Sequence, residues 1–282
     1  MATRTSMKMP TYLITTKHSE YAKRQFPPGS VVIDPWRYIP KQHGVELISV
    51  GRNRPAKISL LIPSRGRPEM FKKCIDSAYA TATYPRQVEV VAWFDQDDSE
   101  FGKYWDLIEK LPVLYLRGER TLLSKCWNHC YERATGEIFM HLGDDVIFRT
   151  PGWDVEVRDA FDAVPDKILF AYGNDLGPHG ETFGTHGFVH RRWVETVGYF
   201  LPPLFSCDWN DVWLNEVAEE IGRKQLLPIV TEHMHYTFGK ADRDQTHAER
   251  EERGARDNVV EIYQQTKAER REDIKKLRAV MS

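Results

Sequence analysis

The run GEIFMHLGDDVIF, residues 136–148, decides how the rest of the chain is read. Ile138, Phe139, Met140 and Leu142 are apolar, and Gly136 closes whatever precedes them. A short apolar run bounded by glycine predicts a strand covered on both faces, as in a parallel sheet. The run ends in Gly143, Asp144 and Asp145. In open α/β sheets, ligands bind beyond the carboxyl ends of the strands, and a glycine there lets a ligand approach the backbone. Two adjacent carboxylates repel unless a cation sits between them, and hard oxygen donors beside a phosphate suit Mg2+ or Mn2+. The competing reading is that Asp144 starts a turn and caps a helix, because Asp is common at turns.

The bulk numbers exclude several classes. A chain of 282 residues with 41% hydrophobic and 28% charged residues is an ordinary globular composition. A net charge of −2 gives no global field toward nucleic acid or anionic membrane, though a local basic groove stays open. Cys74, Cys126, Cys130 and Cys207 form no CxxC pair, so they read as reduced and mostly buried, with a cytosolic location. No apolar run reaches the roughly 20 residues that span a bilayer, and no signal peptide is predicted.

Working outward, residues 1–56 read as a small α/β addition, with strands over 12–16, 31–34 and 46–50 and a helix over 19–26. It is too short for a sizeable core, so packing on the main domain or on a second copy of the chain is expected. From Lys57 the pattern alternates regularly. Strands are predicted over 58–63, 88–94 and 113–116. Helices are predicted over 69–80, from an N-cap at Ser99 to Lys110, and over 122–134. Such alternation predicts a doubly wound, mostly parallel sheet. The strand ends offer Ser64, Arg65 and Arg67, then Asp95, then Arg117, then Asp144 and Asp145. Arginine can hold a phosphate and a carboxylate can hold a ribose or base edge, which is the chemistry of a nucleotide-diphosphate site with a metal.

These residues resemble the family-2-like glycosyltransferases of the single-domain GT-A fold. The first strand and loop of that family run from apolar residues into P-[ST]-x-[NG]-R, and here read Ile62, Pro63, Ser64, Arg65, Gly66, Arg67 and Pro68. Asp95 stands where the family's second strand ends in an acid that meets the base. Asn128, Ala134 and Gly136 fit the spacing of the family's N-x-G-x-x-x-A-x-G helix, with Cys130 in place of the middle glycine. Counting on from Gly136 puts Gly143 at the first acid of the family's DXD and Asp145 at the last, so the first acid is missing. The resemblance covers residues 57–240 and implies a donor site of Pro63, Ser64, Arg65, Arg67, Asp95, Arg117, Lys125 and Asp144. Asp145 is then the main metal ligand, assisted by Asp144.

The second half extends the resemblance. A helix opens at 150–153, strands are expected over 168–172 and 184–191, and residues 207–222 resemble the family's Glu-Asp motif and its helix. The general base of an inverting transferase lies there, so Asp208 and Asp211 are the candidates, with Asp208 ranked first. A last strand over 226–230 leads to His233 and His235. H-x-H on an extended segment points both rings to one side, and in many GT-A enzymes a histidine there completes the metal shell. Residues 241–282 read as a loop and a charged helical tail with a sparse apolar stripe, docking on the domain or on a partner chain.

The function that follows is transfer of a sugar, with inversion, from a nucleotide-diphosphate sugar to an acceptor hydroxyl, dependent on Mn2+ or Mg2+. The compact chain also resembles transferases encoded by bacterial viruses, so one candidate acceptor is a hydroxylated base in DNA. Trp153, His186 and Trp209 would then lie on the acceptor side, where aromatic and basic groups could stack on it. Small metabolites, proteins and surface-glycan precursors stay open. The alternatives are a nucleotidyltransferase, although the SRGRP loop holds a single glycine, and an inactive sugar-nucleotide-binding protein.

Overall fold

The computed structural model describes residues 10–15, 19–35, 39–40, 42–48 and 55–282, and the chain divides into two compact units, Met1–Pro55 and Ala56–Ser282. In the first unit, β1 (Thr11–Leu13), β2 (Val31–Ile33) and β3 (Glu46–Ile48) form a parallel sheet in that order. Ile14, Phe26, Val32 and Ile39 are its small core. Only a 3-10 turn, Ser19–Lys23, occupies the place of the expected helix. Thr16 and residues 49–50, the ends of two expected strands, lie outside the described residues.

The second unit carries an eight-stranded sheet. Its strands are β4 (Ile58–Ser64), β5 (Val88–Asp95), β6 (Val113–Gly118), β7 (Ile138–His141), β8 (Val146–Phe148), β9 (Phe170–Asn174), β10 (Gly187–His190) and β11 (Lys224–His233). They run in the order β6-β5-β4-β7-β10-β9-β11-β8. The first four are mutually parallel, β10 is antiparallel to both neighbours, and β8 is antiparallel to β11.

Both faces of the sheet are covered, which is why the strands read as near-continuous apolar runs. On one face Leu60, Ile62, Val90, Phe94 and Met140 meet α1 (Pro68–Thr81), α2 (Phe101–Ile108) and α4 (Trp153–Ala163). On the other, Leu61, Val91 and Phe139 meet α3 (Leu123–Arg133), α5 (Arg191–Val197) and α6 (Asn210–Glu220). Alternate residues of one strand thus enter different cores, as the period of two requires. Proline at the first position of α1 costs nothing, because that N–H has no partner inside a helix.

The tail folds back on this unit as α7 (Gln245–Arg256), α8 (Val259–Gln265) and α9 (Lys267–Val280). Val259, Ile274 and Leu277 join the second core. Trp213 Nε1 donates to Asp273 at 3.0 Å, and the Tyr199 hydroxyl donates to the same carboxylate. Among the described residues, no helix is long and apolar enough to cross a membrane.

Three expectations are corrected. Ser99 caps nothing: α2 begins after Glu100, and the preceding turn is held by Asp98, whose carboxylate accepts from the Glu100 amide at 2.9 Å. Residues 136–148 are two strands, because the acidic pair turns the chain and Val146–Phe148 crosses to the far edge against β11. That crossing carries Trp153 away from the strand ends. Its ring is fully buried among Phe148 and Phe188, and Nε1 donates to the Ala78 carbonyl at 3.0 Å. It is a core residue and not an acceptor platform. Replacing Trp153 with alanine should cost about 3–5 kcal/mol of stability in urea unfolding, the usual range for a buried aromatic, and leave the contents of the strand-end cavity unchanged.

Candidate active site

The carboxyl ends of β4, β5 and β7 open into one cavity of about 660 Å3. Asp144 and Asp145 sit on its floor, each only 6% exposed. The pair divides its attention. Asp144 faces β4: the Ser64 hydroxyl donates to it at 2.6 Å and Arg67 Nη1 at 3.3 Å. Since the one Ser64 proton goes to Asp144, the Tyr104 hydroxyl must donate to Ser64 at 2.7 Å, and it accepts from the Arg67 amide at 2.7 Å. Burial pushes the Asp144 carboxyl up; Arg67 and the Ser64 hydroxyl oppose the shift and the nearby Asp145 adds to it.

Asp145 faces the other way. His233, at the end of β11, brings Nε2 to 3.3 Å from its carboxylate. His186, in the loop before β10, stacks edge-on against His233 with ring centres 4.9 Å apart. Burial alone would raise the Asp145 carboxyl, but the hydrogen bond and charge of His233, with His186 and Arg67, hold it well below the usual range. Donor atoms of Asp145, His186 and His233 all lie within 4.8 Å of one another, a spacing that could hold a cation. His186 is held far below the ordinary histidine range, chiefly by burial and then by His233 and His141, so it presents the neutral imidazole that a metal requires.

Above the floor, arginines bridge the strand ends to the tail. Arg67 makes a two-pronged pair with Asp244, at 2.7 and 2.9 Å, and reaches the His247 ring at 2.8 Å. Its guanidinium is held firmly charged: burial opposes that, but Asp144 and Asp244 outweigh it. Arg65 donates to Asp97 at 2.6 Å and pairs with Asp95 and Glu249. Arg120 also reaches Glu249, at 2.6 Å. Asp244 caps α7 by accepting from the His247 amide at 3.0 Å.

The two candidate bases stand differently. Asp208 is part-exposed, and Arg250 Nε donates to it at 2.7 Å. Asp211 lines the cavity, accepts only from its neighbour's amide, Val212, at 2.8 Å, and is pushed up to about 6 by loss of solvent, with Asp208 adding to the effect.

The cavity therefore gathers Pro63, Ser64, Arg65, Arg67, Asp95 and Asp144 from the expected donor set. Asp145, His233, His235, Asp208, Asp211 and Trp209 line it as well. Arg117 and Lys125 do not: Arg117 lies over the Phe101 ring and donates to the Gln96 carbonyl, and Lys125 is exposed on α3. His235 is not among the donors of the cluster; its Nδ1 lies 2.7 Å from the Thr237 hydroxyl. His186, expected on the acceptor side, is instead beside Asp145. Sequence reasoning missed Arg120 and the face of α7 that lines the cavity: His247, Arg250 and Arg253. These three recur every third residue and so share one helix face, a signal that was present in the charge-dense tail.

No family model matches the chain. The O-antigen biosynthesis protein RfbC of Myxococcus xanthus is 25% identical over 176 residues, which is 56% of this chain and 13% of that protein. The chain thus spans a small part of this relative. Among solved structures, a mannosyltransferase from Pyrobaculum calidifontis, in complex with GDP-Man and Mn2+, superposes with a TM-score of 0.50 at 16% identity, covering 64% of this chain and 57% of that one. S. aureus TarS follows with a TM-score of 0.47 at 12% identity, covering 62% and 57%. The chain has the GT-A glycosyltransferase fold, a mostly parallel central sheet between helical layers.

One consequence concerns the tail. Asp244→Ala removes the α7 cap and the two-pronged hold on Arg67 together. Loss of the cap alone should cost about 0.5–2 kcal/mol. Hydrogen exchange should quicken across residues 245–256 while the amides of β4 and β7 keep wild-type protection.

Proposed function

We propose that this chain is a metal-dependent, inverting glycosyltransferase that takes its sugar from a nucleotide-diphosphate donor. The observation that carries the reading is one cavity with two stations. On its floor Asp145, His186 and His233 form a group that could hold a cation, and on its wall stands the half-buried carboxylate of Asp211. One carboxylate and two closely grouped imidazoles fit a divalent ion. When bound, that ion would act as a Lewis acid toward the leaving diphosphate.

The chain's own residues supply the rest. Asp95 and the edge of Trp93, whose Nε1 donates to Asp95 at 3.1 Å, offer a surface for the base and ribose. Arg65 and Arg67 stand where the diphosphate would lie, and phosphate oxygens can take the places now held by carboxylates. Asp211 accepts the acceptor's hydroxyl proton as that oxygen attacks the anomeric carbon. The new C–O bond forms as the bond to the diphosphate breaks on the opposite face, so the configuration inverts. We rank Asp211 above Asp208 as base, because Asp208 is already bound to Arg250. A carboxyl near 6 is ionised at neutral pH yet more basic than an ordinary aspartate, which suits the task.

For the acceptor we favour a saccharide hydroxyl, as the O-antigen biosynthesis relative suggests, and rank a hydroxylated DNA base second. The DNA reading drew on Trp153, His186 and Trp209; Trp153 lies in the core and His186 beside Asp145. Trp209 lines the cavity with its ring 4.5 Å from that of Tyr263, an aromatic face of the kind that packs on sugar rings.

A thermal-shift panel of nucleoside diphosphates and their sugars, with and without Mn2+, tests the donor: at least one should raise the melting temperature further when Mn2+ is present. Asp145→Ala should abolish nucleotide-sugar turnover, and full activity in that variant would end the metal reading.

Asp211→Asn should lower kcat by about 10²–10⁴-fold, the usual worth of a general base, and erase the acid limb that the wild-type kcat/KM is expected to have near pH 6. Stability should move the other way. A carboxyl raised by folding binds its proton more tightly in the native state. It therefore favours folding at low pH, and this benefit is lost as pH rises through about 6. At pH 8 the Asp211→Asn protein should melt no lower than the wild type.

A further inference from the structure

Resting on the proposed metal-dependent transfer, we infer that His186 replaces the acid missing at position 143, giving a one-carboxylate, two-histidine cation site that selects Mn2+ or Co2+ over Mg2+.

The space at Gly143 makes the exchange explicit. A Cβ built there would lie 2.7 Å from an Asp145 carboxylate oxygen and 2.9 Å from His186 Nε2. Atoms do not pack that closely, so a side chain at 143 would force the Asp145 carboxylate and the His186 ring to shift, and an acid there would compete with the imidazole for the same space. The glycine is therefore the vacancy into which a ring from the loop before β10 is inserted.

The other candidates are spoken for. Asp144 is turned toward Ser64 and Arg67. His141 is buried next to His186 but fully satisfied: Nε2 donates to the Thr185 carbonyl at 2.8 Å and Nδ1 accepts from the Gly187 amide at 3.3 Å. His235 is not among the donors that lie within 4.8 Å of one another. By contrast, His186 is 8% exposed and its buried Nδ1 has no hydrogen-bond partner among the described residues, and the same holds for Nδ1 of His233. Buried ring nitrogens without partners cost free energy. It is Nε2 of His233 that faces the Asp145 carboxylate, at 3.3 Å, and His186 joins them in one group of donors within 4.8 Å of one another, which is what a ligand set looks like.

The donor chemistry sets the selectivity. Mg2+ demands oxygen ligands and gives up water reluctantly, whereas imidazole suits the later first-row ions and affinity rises from Mn2+ toward Co2+. The exchange also changes charge. A dication with two carboxylates is neutral, but with one carboxylate and two neutral imidazoles it keeps a net charge of +1, which strengthens its hold on a diphosphate.

The test uses the full chain and metal alone. Cobalt titrated into the wild-type protein should give visible d–d absorption, and Co2+ and Mn2+ should bind at least about tenfold more tightly than Mg2+ in calorimetry. His186→Gln should weaken Co2+ by about 10–100-fold and change its spectrum. The double variant Gly143→Asp/His186→Ala should bring Mg2+ to parity with Mn2+. Unchanged Co2+ affinity and spectrum in His186→Gln would overturn the assignment of this ligand while leaving metal-dependent transfer standing. Full turnover by wild-type protein in excess chelator would instead overturn the parent reading. If His186→Gln fails to fold, pulsed electron resonance on the Mn2+-loaded wild type decides: two directly coupled ring nitrogens support the proposal, and one or none overturns it.

Discussion

Two successive carboxylates, both almost sealed from water, have to be kept in one folded chain. Unit charges about 4 Å apart near a protein surface repel by roughly 4 kcal/mol, and burial adds a desolvation cost to each. The structure meets this by separating their compensation across the sheet. The parallel register of β4 on β7 ends with Ser64 and the Arg67 loop beside Asp144. On the opposite side β10 and β11 bring up His186 and His233 to Asp145. One carboxyl rises toward neutrality and the other is held charged. Groups of one chemical type driven apart by their surroundings are what a working site needs, and here the division follows from strand order.

That order also explains which parts of the site can be read from the chain. The strand–helix alternation, the loop at Ser64–Arg67, Asp95 and the acidic pair are local patterns, and each falls where its periodicity indicates. His186 has no local signature. It sits in a loop whose importance comes from β10 being inserted antiparallel between β7 and β9, a reversal that no window of residues announces. Trp153 fails in the opposite way. It lies eight residues after Asp145 in the chain, but β8 crosses to the far edge in between, so nearness in sequence becomes distance in space. Gly143 was visible as a departure from the acidic motif, but its meaning required the ring that fills the gap.

The tail shows how a weak sequence signal can carry a strong structural role. Its apolar stripe is sparse, yet Val259, Ile274 and Leu277 all enter the second core, so α8 and α9 are anchored by burial and need few such residues. That anchoring fixes where α7 lies, and α7 supplies what the strand ends lack. Glu249 meets both Arg65 and Arg120, Asp244 meets Arg67, and the Thr246 hydroxyl donates to the Arg65 carbonyl at 3.0 Å. Without those carboxylates the cavity would hold several partly buried guanidinium groups short of counter-charge.

The same contacts make the tail part of the site's electrostatics. An anion entering near Arg65 and Arg67 meets cations already paired, so its binding free energy is a difference: new charge-assisted bonds gained, less the Asp244 and Glu249 pairs loosened. Part-exposed pairs such as these are worth little in water, whereas bidentate arginine–phosphate bonds in a recessed cavity are worth more. The balance therefore favours exchange, and the carboxylates that pair with these arginines also set how tightly an anion is held. The tail is accordingly part of the compact unit Ala56–Ser282, whose strand-end cavity it helps to line.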